Sequence, residues 1–288
     1  MPNTIAIKRR IGSVKNTRQI TKAMQLVAAA RMRKAQEAAQ RSRTYNDMAR
    51  ELLTRLRQIT DVAKHPLFVK RHVKARLLVV ITSDRGLAGA YNSNALKRYV
   101  AELKKDQAAG VKSYTIAIGQ KAGQLVGRLG ATEAVGMYRD LPEQPTVADL
   151  QPIMRAAAGM FTDGTVDAVD VIYTHYYSTV RQEAHTLPLL PAGFSDAEVG
   201  DDLRLAGFEP SAEAVLEATA RRLLDAQLLQ ALLDSFASEQ SMRMLAMKSA
   251  TDNANELVDD LTLAFNNARQ ANITQELAEI TGGAEALN

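Results

Sequence analysis

Two long stretches of this chain lack proline, and they constrain its fold more than any other feature. Residues 3–65 contain no proline and a single glycine, and residues 211–288 contain no proline and no glycine before Gly282. Proline destabilises a helix interior by about 3 kcal/mol and glycine by about 1 kcal/mol. The sequence therefore predicts one very long helix at each terminus. Because a 70-residue helix extends about 100 Å, neither helix can be buried in its own domain, and each must pair with the other and with a partner outside the chain.

Charge is distributed unevenly between these two ends. Residues 1–76 carry 19 Lys/Arg against 4 Asp/Glu, residues 77–195 carry 11 against 11, and residues 196–288 carry 6 against 17. A basic N-terminal helix and an acidic C-terminal helix attract each other, which favours their pairing, although an exposed ion pair is worth only about 0–1 kcal/mol. A nucleic-acid-binding surface on the basic helix is the alternative interpretation of the same charge.

Apolar residues along both predicted helices recur at alternating steps of three and four, which is the spacing of a coiled-coil seam. In the C-terminal helix the pattern runs from Leu229 to Ala268, with Gln240 and Thr251 as polar members. In the N-terminal helix the predicted seam consists of Ile20, Met24, Val27, Tyr45, Met48, Leu52, Leu56 and Ile59. We expect an antiparallel pair, because the two helices lie on either side of an intervening segment.

That intervening segment alternates short apolar runs with helical stretches. Strands are predicted near 76–83, 113–119, 132–139, 169–179 and 182–190, and helices near 88–110, 120–129 and 146–161. This order predicts an α/β layer with a largely parallel sheet whose last two strands form a hairpin. Thr146 is a candidate helix N-cap, and the polar stretch 195–211 is predicted to be a loop. The predicted division is a coiled-coil helix over 1–65, a central Rossmann-like α/β domain over 75–194 and a second coiled-coil helix over 208–288.

The sequence offers no catalytic constellation. The chain has no cysteine, which excludes thiolate catalysis and thiolate metal sites. The turn from Gly86 to Gly89 lacks the lysine and glycines of a phosphate-binding loop, and His175 and His185 have no H-E-x-x-H motif beside them. We therefore predict no catalytic residue, no cofactor and no metal ligand, with a nucleotide-dependent enzyme on the α/β segment as the alternative. No apolar run reaches 18 residues and no secretory signal is evident, so a cytoplasmic protein without a membrane anchor is expected.

Two surfaces are better candidates for binding. Four basic residues share one face of the N-terminal helix, and they are Lys8, Lys15, Arg18 and Lys22. They suit an acidic partner, with a solvated face as the alternative. Near the C-terminus, Ile273, Leu277 and Ile280 form an apolar stripe. This stripe indicates insertion into a partner's sleeve, with a frayed tail as the alternative.

Four segments resemble the gamma subunit of rotary ATP synthases. They are IKRRIGSVKNTRQITKAMQLVAAARMRKAQ at 7–36, ITSDRGLAGAYNSN at 81–94, SEQSMRMLAMKSATDNA at 238–254 and ITQELAEITGGAEAL at 273–287. The similarity extends from end to end, and the two terminal motifs are long and specific. The chain departs from the family pattern at Ala88, where cysteine is common, and in LRLAG before Phe208, which lacks the aromatic residues of relatives. It also lacks the cysteine-bearing insertion of chloroplast forms.

The resemblance implies a central rotor shaft that performs no bond chemistry of its own. Its coiled coil would stand inside a ring of alpha and beta subunits, and its α/β domain would lie beside the epsilon subunit on the membrane c ring. Rotation of that ring would drive sequential conformational changes at catalytic sites on the beta subunits. The implied location is the cytoplasmic face of the cell membrane, as a peripheral protein without membrane insertion and without nucleic acid.

The resemblance also assigns roles to individual residues. Met24 would face an acidic lever of a beta subunit. Hydrogen bonds to beta-subunit loops would come from Arg243, Gln270 and Thr274, and Glu279 would belong to the same contact region. Glu209, between Phe208 and Pro210, would contact the c ring.

Overall fold

The structure, a computed structural model, describes residues 4–56, 65–193 and 211–285. Its elements in chain order are α1 (Thr4–Leu56), a 3₁₀ turn (Pro66–Phe68), β1 (Ala75–Ile81), α2 (Tyr91–Ala108), β2 (Lys112–Ile118), α3 (Gln120–Val126), β3 (Glu133–Tyr138), α4 (Val147–Thr162), β4 (Ala168–Tyr176), β5 (Gln182–Leu190) and α5 (Ala212–Glu285). They form two compact units, one from the described residues of 1–28 and 243–288 and one from those of 29–242. The predicted division at 65, 75, 194 and 208 stays a prediction, and the predicted loop at 195–211 lies almost wholly outside the described residues.

The five strands form one sheet within the unit that comprises 29–242. Their order is β3-β2-β1-β4-β5, with parallel pairing from β3 through β4 and antiparallel pairing between β4 and β5. The predicted α/β class, the largely parallel sheet and the terminal hairpin are thus confirmed.

Both faces of this sheet are covered, as parallel sheets require. Alternate residues of β1 point to opposite sides, so Leu77 and Val79 pack against α4 and α5 while Leu78 and Val80 pack against α2 and α3. All four side chains are fully buried. This explains why β1 is continuously apolar rather than alternating.

Two local features fix the helices that flank the sheet. Thr146 caps α4 as predicted. The carboxylate of Asp149 accepts hydrogen bonds from the backbone N–H of Thr146 at 2.8 Å and from the hydroxyl of Thr146 at 2.7 Å. Gly119 precedes α3 with φ of 92°, and a Cβ there would lie 2.2 Å from the Thr82 carbonyl oxygen. Only glycine fits that position.

A buried ionic cluster lies between β1, β4 and α2. The Arg76 guanidinium contacts Glu102 at 2.8 Å, Asp106 at 3.1 Å and Asp170 at 3.0 Å, and Asp170 is 14% exposed. The pKa of Asp170 is raised to about 6, chiefly by burial and also by the carboxylates of Glu102 and Asp106, against the attraction of Arg76. Burial also raises the pKa of Asp106, whose partners are Arg76 and Ser113. Arg76 therefore has more carboxylate partners than one cation can neutralise.

The α5 seam is confirmed and the α1 seam is corrected. Every predicted α5 seam position from Leu229 to Ala268 is buried or half-buried. On α1, the predicted seam residues Ile20, Val27, Tyr45 and Met48 are 60%, 51%, 49% and 65% exposed. The buried positions there are Thr21, Ala28, Met32, Ala35, Ala39, Asn46 and Ala49. The side chains of Leu52, Leu56 and Ile59 lie outside the described residues.

The correction has a physical reason. The buried positions on α1 keep the alternation of three and four, but most of them are alanine or small polar residues. Small side chains let two helix backbones approach closely, so they occupy most of the seam, while Ile20, Val27, Tyr45 and Met48 point elsewhere. Within the unit that comprises 29–242, the pair runs antiparallel, since Arg43 contacts Asp234 at 3.1 Å and Asn46 Nδ2 donates to the Ala226 carbonyl at 3.1 Å.

Candidate functional site: the paired helix ends

Nine of the ten residues assigned to partner contacts lie in the unit formed by 1–28 and 243–288. The tenth, Glu209, lies outside the described residues, as do its neighbours Phe208 and Pro210. In this unit α1 and α5 again pair antiparallel, because Arg18 contacts Asn255 while the later residue Thr21 contacts the earlier residue Thr251.

A pair of buried threonines lies within the helix contact. The hydroxyl oxygens of Thr21 and Thr251 are 2.8 Å apart, and each hydroxyl also reaches a carbonyl of its own helix, that of Arg18 at 3.0 Å or that of Met247 at 2.8 Å. Their polar atoms are thus satisfied without solvent. Because polar seam positions favour one alignment over its neighbours, this pair fixes the register of the two helices.

The basic row on α1 is exposed in part. Lys8, Lys15 and Lys22 are exposed, whereas Arg18 is half-buried and donates to Asn255 Oδ1 at 3.2 Å. Residues 4–28 contain six Lys/Arg and no Asp/Glu. The predicted row therefore consists of three solvent-facing lysines and one arginine directed to α5.

The other predicted contact residues differ in exposure. Met24 is half-buried and Arg243 is 9% exposed, whereas Gln270, Thr274 and Glu279 are exposed on α5. The Thr274 hydroxyl donates to the Gln270 carbonyl at 3.0 Å, and the Glu279 carboxylate accepts from Gln275 at 2.8 Å. The side chains of Gln270 and Glu279 thus face solvent, while the Thr274 hydroxyl is engaged by its own helix.

Large apolar side chains are exposed along both helices of this unit. The predicted stripe of Ile273, Leu277 and Ile280 is 48%, 58% and 67% exposed. Other exposed members are Ile5, Ile20, Leu26, Val27, Leu245, Leu257 and Leu263. Sequence reasoning missed Ile20 and Val27 as surface residues because it placed them in the seam; the competing alternation through Thr21 and Ala28 would have identified them. A surface of this kind can bury apolar area against a partner.

The alternative sites considered from sequence have other roles. The Asp84 carboxylate, next to the Gly86–Gly89 turn, accepts from the backbone N–H groups of Gln120 at 2.9 Å and Asp140 at 3.1 Å. His175 faces Asp234 at 2.8 Å, and His185 lies 3.1 Å from the Tyr177 hydroxyl. Across 4–56, 65–193 and 211–285, no three side chains are grouped as metal ligands. Nor does any helix in these ranges have an apolar stretch long enough to span a bilayer.

Comparison with known proteins decides the family. The family model described as ATP synthase matches residues 3–287. ATP synthase gamma chains of Cupriavidus metallidurans and Heliobacterium modesticaldum are each 40% identical to this chain, over the full length of both partners in each comparison. The chain belongs to the family of ATP synthase gamma chains.

Solved structures agree at the level of the fold. A chain of the Euglena gracilis mitochondrial ATP synthase, from an OSCP/F1/c-ring structure, matches with a TM-score of 0.68 and 19% identity over 99% of this chain and 94% of that one. A rotor chain from the same organism matches with a TM-score of 0.64 and 18% identity over 94% of this chain and 98% of that one. Family membership confirms the prediction of a central rotor shaft and of a non-catalytic subunit of an ATP synthase.

Proposed function

We propose that the paired helix ends turn inside a ring of alpha and beta subunits and impose a different conformation on each catalytic beta subunit. One observation supports this most directly: the faces of the pair differ in chemistry. Residues 4–28 of α1 are basic without an acidic residue, while α5 exposes Asp259 and Asp260 and the apolar stripe from Ile273 to Ile280. Identical subunits arranged around such a surface meet unlike faces, so their conformational equilibria are biased differently, as coupling requires.

Each predicted contact residue receives a role in this proposal. Lys8, Lys15 and Lys22 attract acidic surfaces of the ring, and Arg18 contributes from the edge of the seam. Met24 lies against an acidic lever of a beta subunit. Hydrogen bonds to beta-subunit loops come from Arg243, Gln270 and Thr274, and Glu279 belongs to the same contact region.

Family membership supports the remaining partners and the location that we propose. The α/β domain lies beside the epsilon subunit, and Glu209 contacts the c ring. The chain thus works at the cytoplasmic face of the cell membrane as a peripheral subunit without nucleic acid and without insertion into the bilayer.

Rotation of the chain is directly testable. The chain has no cysteine, so Lys104→Cys, at an exposed position of α2, provides a single attachment point in this subunit for an optical probe. In the purified complex, immobilised through its beta subunits, we expect the probe to rotate in one direction when ATP is added. A probe that stays fixed while the complex hydrolyses ATP would refute the shaft role.

Met24→Lys tests the contact with the beta lever. A half-buried thioether becomes a cation, which would form a new attraction to an acidic lever and hinder its release. We expect the complex to assemble and ATP synthesis in membrane vesicles to fall more than ATP hydrolysis. Met32→Lys is unsuitable as a control because Met32 is buried in the seam, so Gln19→Lys, at an exposed position of α1, is the matched variant. Full ATP synthesis by Met24→Lys would remove Met24 from this contact.

A further inference from the structure

β4 is longer than its neighbour β1, so that one edge of β4 is left without a strand partner near its end. β1 pairs with β4 only as far as Ile172, whereas pairing with β5 on the other edge continues to Tyr176. The backbone of Thr174 instead bonds to α5: its N–H donates to Ser235 Oγ at 2.8 Å, and Ser238 Oγ donates to its carbonyl at 3.2 Å. The N–H and C=O of one strand residue point to the same side, so two serine hydroxyls occupy the place of a missing strand.

A third serine extends this contact to the turn of the hairpin. Ser241 Oγ donates to the Thr179 carbonyl at 3.0 Å and accepts from Gln182 Nε2 at 3.2 Å. Ser235, Ser238 and Ser241 are each fully buried. Their spacing of three residues places the hydroxyls about 4.5 Å apart along the axis of α5, so the contact spans almost two helical turns.

An ionic contact lies beside the serines. Asp234 is 2% exposed and faces His175 of β4 at 2.8 Å through one oxygen, while its other oxygen accepts from Arg43 of α1 at 3.1 Å and from Gln230 at 3.0 Å. One carboxylate thus joins β4 and α1 to α5.

Directional contacts of this kind resist sliding more sharply than the surrounding apolar contacts do. The same face of the sheet packs on α5 through residues such as Val171 and Leu228. Apolar burial is non-directional, so it allows small rotations of a helix against a sheet at little cost. Hydrogen bonds weaken steeply when their angles change, and those of Thr174 and Thr179 involve backbone groups that cannot follow a moving helix.

We propose that Ser235, Ser238, Ser241 and Asp234 form a clamp that fixes the β4–β5 hairpin to α5. Torque then passes between the α/β domain and α5 without relative movement of the two. The clamp residues act as positioning residues. This inference rests on the proposed rotor function, in which α5 and the α/β domain must turn together.

Hydrogen exchange of the full chain tests whether the clamp exists. In the triple variant Ser235→Ala, Ser238→Ala, Ser241→Ala, we expect the Thr174 amide to exchange about tenfold faster or more, because its acceptor is lost. Ser93→Ala, at an exposed position of α2, is the matched control and should leave this amide unchanged. Unchanged exchange of Thr174 in the triple variant would overturn the proposal.

The assembled complex tests whether the clamp transmits torque. We expect proton-driven ATP synthesis by the triple variant to fall by about threefold or more relative to its ATP hydrolysis, since slack reduces the differential bias that reaches the catalytic sites. A merely structural role would lower both rates together through the amount of assembled complex. An unchanged ratio of synthesis to hydrolysis, combined with faster exchange at Thr174, would overturn the torque role.

Two further measurements keep the result interpretable. If the triple variant does not assemble, Ser241→Ala alone is measured in the same way, with a smaller loss of the same ratio expected and an unchanged ratio counting against the clamp. In parallel, rotation of the optical probe attached at Lys104→Cys is recorded in complexes with and without the clamp substitutions. Absence of rotation in the complex without clamp substitutions would contradict the rotor function itself, whereas normal rotation with an unaffected ratio would contradict only the clamp.

Discussion

Replacing Asp170 by asparagine should change how the stability of the chain depends on pH. The folded-state pKa of Asp170 is about 6, raised from 3.8 chiefly by burial. Between those two values the folded state retains a proton that the unfolded state has released. The contribution of Asp170 is therefore fully present below about pH 4 and is lost as pH rises through about 6.

The size of this effect follows from the shift. Two pKa units correspond to about 3 kcal/mol of unfolding free energy. Asp170→Asn removes this dependence, while Arg76 keeps Glu102 at 2.8 Å and Asp106 at 3.1 Å as partners. The stability of the variant minus that of the unaltered chain should thus rise by about 3 kcal/mol between pH 4 and pH 7.

Urea denaturation at a series of pH values measures this difference. The chain has no tryptophan, and all of its tyrosines lie between residues 45 and 177, so tyrosine fluorescence reports on the unit that contains the ionic cluster. Asp47→Asn, at an exposed position of α1, is the matched control and should follow the unaltered chain. A stability difference for Asp170→Asn that stays constant across this range would refute the reasoning.

Three other substitutions have defined outcomes in denaturation experiments. Thr21→Val or Thr251→Val alone should cost about 0.5–1.5 kcal/mol, because the bond between the two hydroxyls is lost while the remaining hydroxyl keeps the carbonyl of its own helix, and the double variant should cost little more than either single variant; two additive losses would contradict the pairing. Gly119→Ala should cost more than about 1 kcal/mol, since its Cβ would clash with the Thr82 carbonyl, and an unchanged midpoint would exclude the strain. Ala35→Leu should cost about 1–3 kcal/mol by overpacking the seam, and a stabilised chain would show that the seam has spare room.

Much of the fold could be predicted from local patterns. The continuous apolar run of β1 indicated a strand buried on both faces, and Thr146 followed by Asp149 indicated the start of α4. The α5 seam was predictable because its alternation of three and four continues from Leu229 to Ala268. The α1 seam was not, because Ile20 and Val27 form a more hydrophobic stripe than the small residues Thr21 and Ala28 that are buried.

The exposed apolar surface could be predicted from the sequence, whereas the clamp could not. The exposed stripe from Ile273 to Ile280 was predictable because it lies beyond the reach of the other helix. The roles of Ser235 and Ser238 were not predictable, since they depend on β1 ending its pairing at Ile172 while β4 continues. Such a mismatch in strand length is set by tertiary structure and leaves no local pattern in α5.

The alanines of the α1 seam have a consequence for biogenesis. Each buried methyl group of Ala28, Ala35 or Ala39 removes far less apolar area from water than a leucine would, at about 25 cal/mol per Å². A newly synthesised chain therefore gains less free energy from pairing these helices than a leucine seam would provide. In the assembly that we propose, contacts with neighbouring subunits would add to the stability of the pair, so that an orphan copy is less stable than an assembled one.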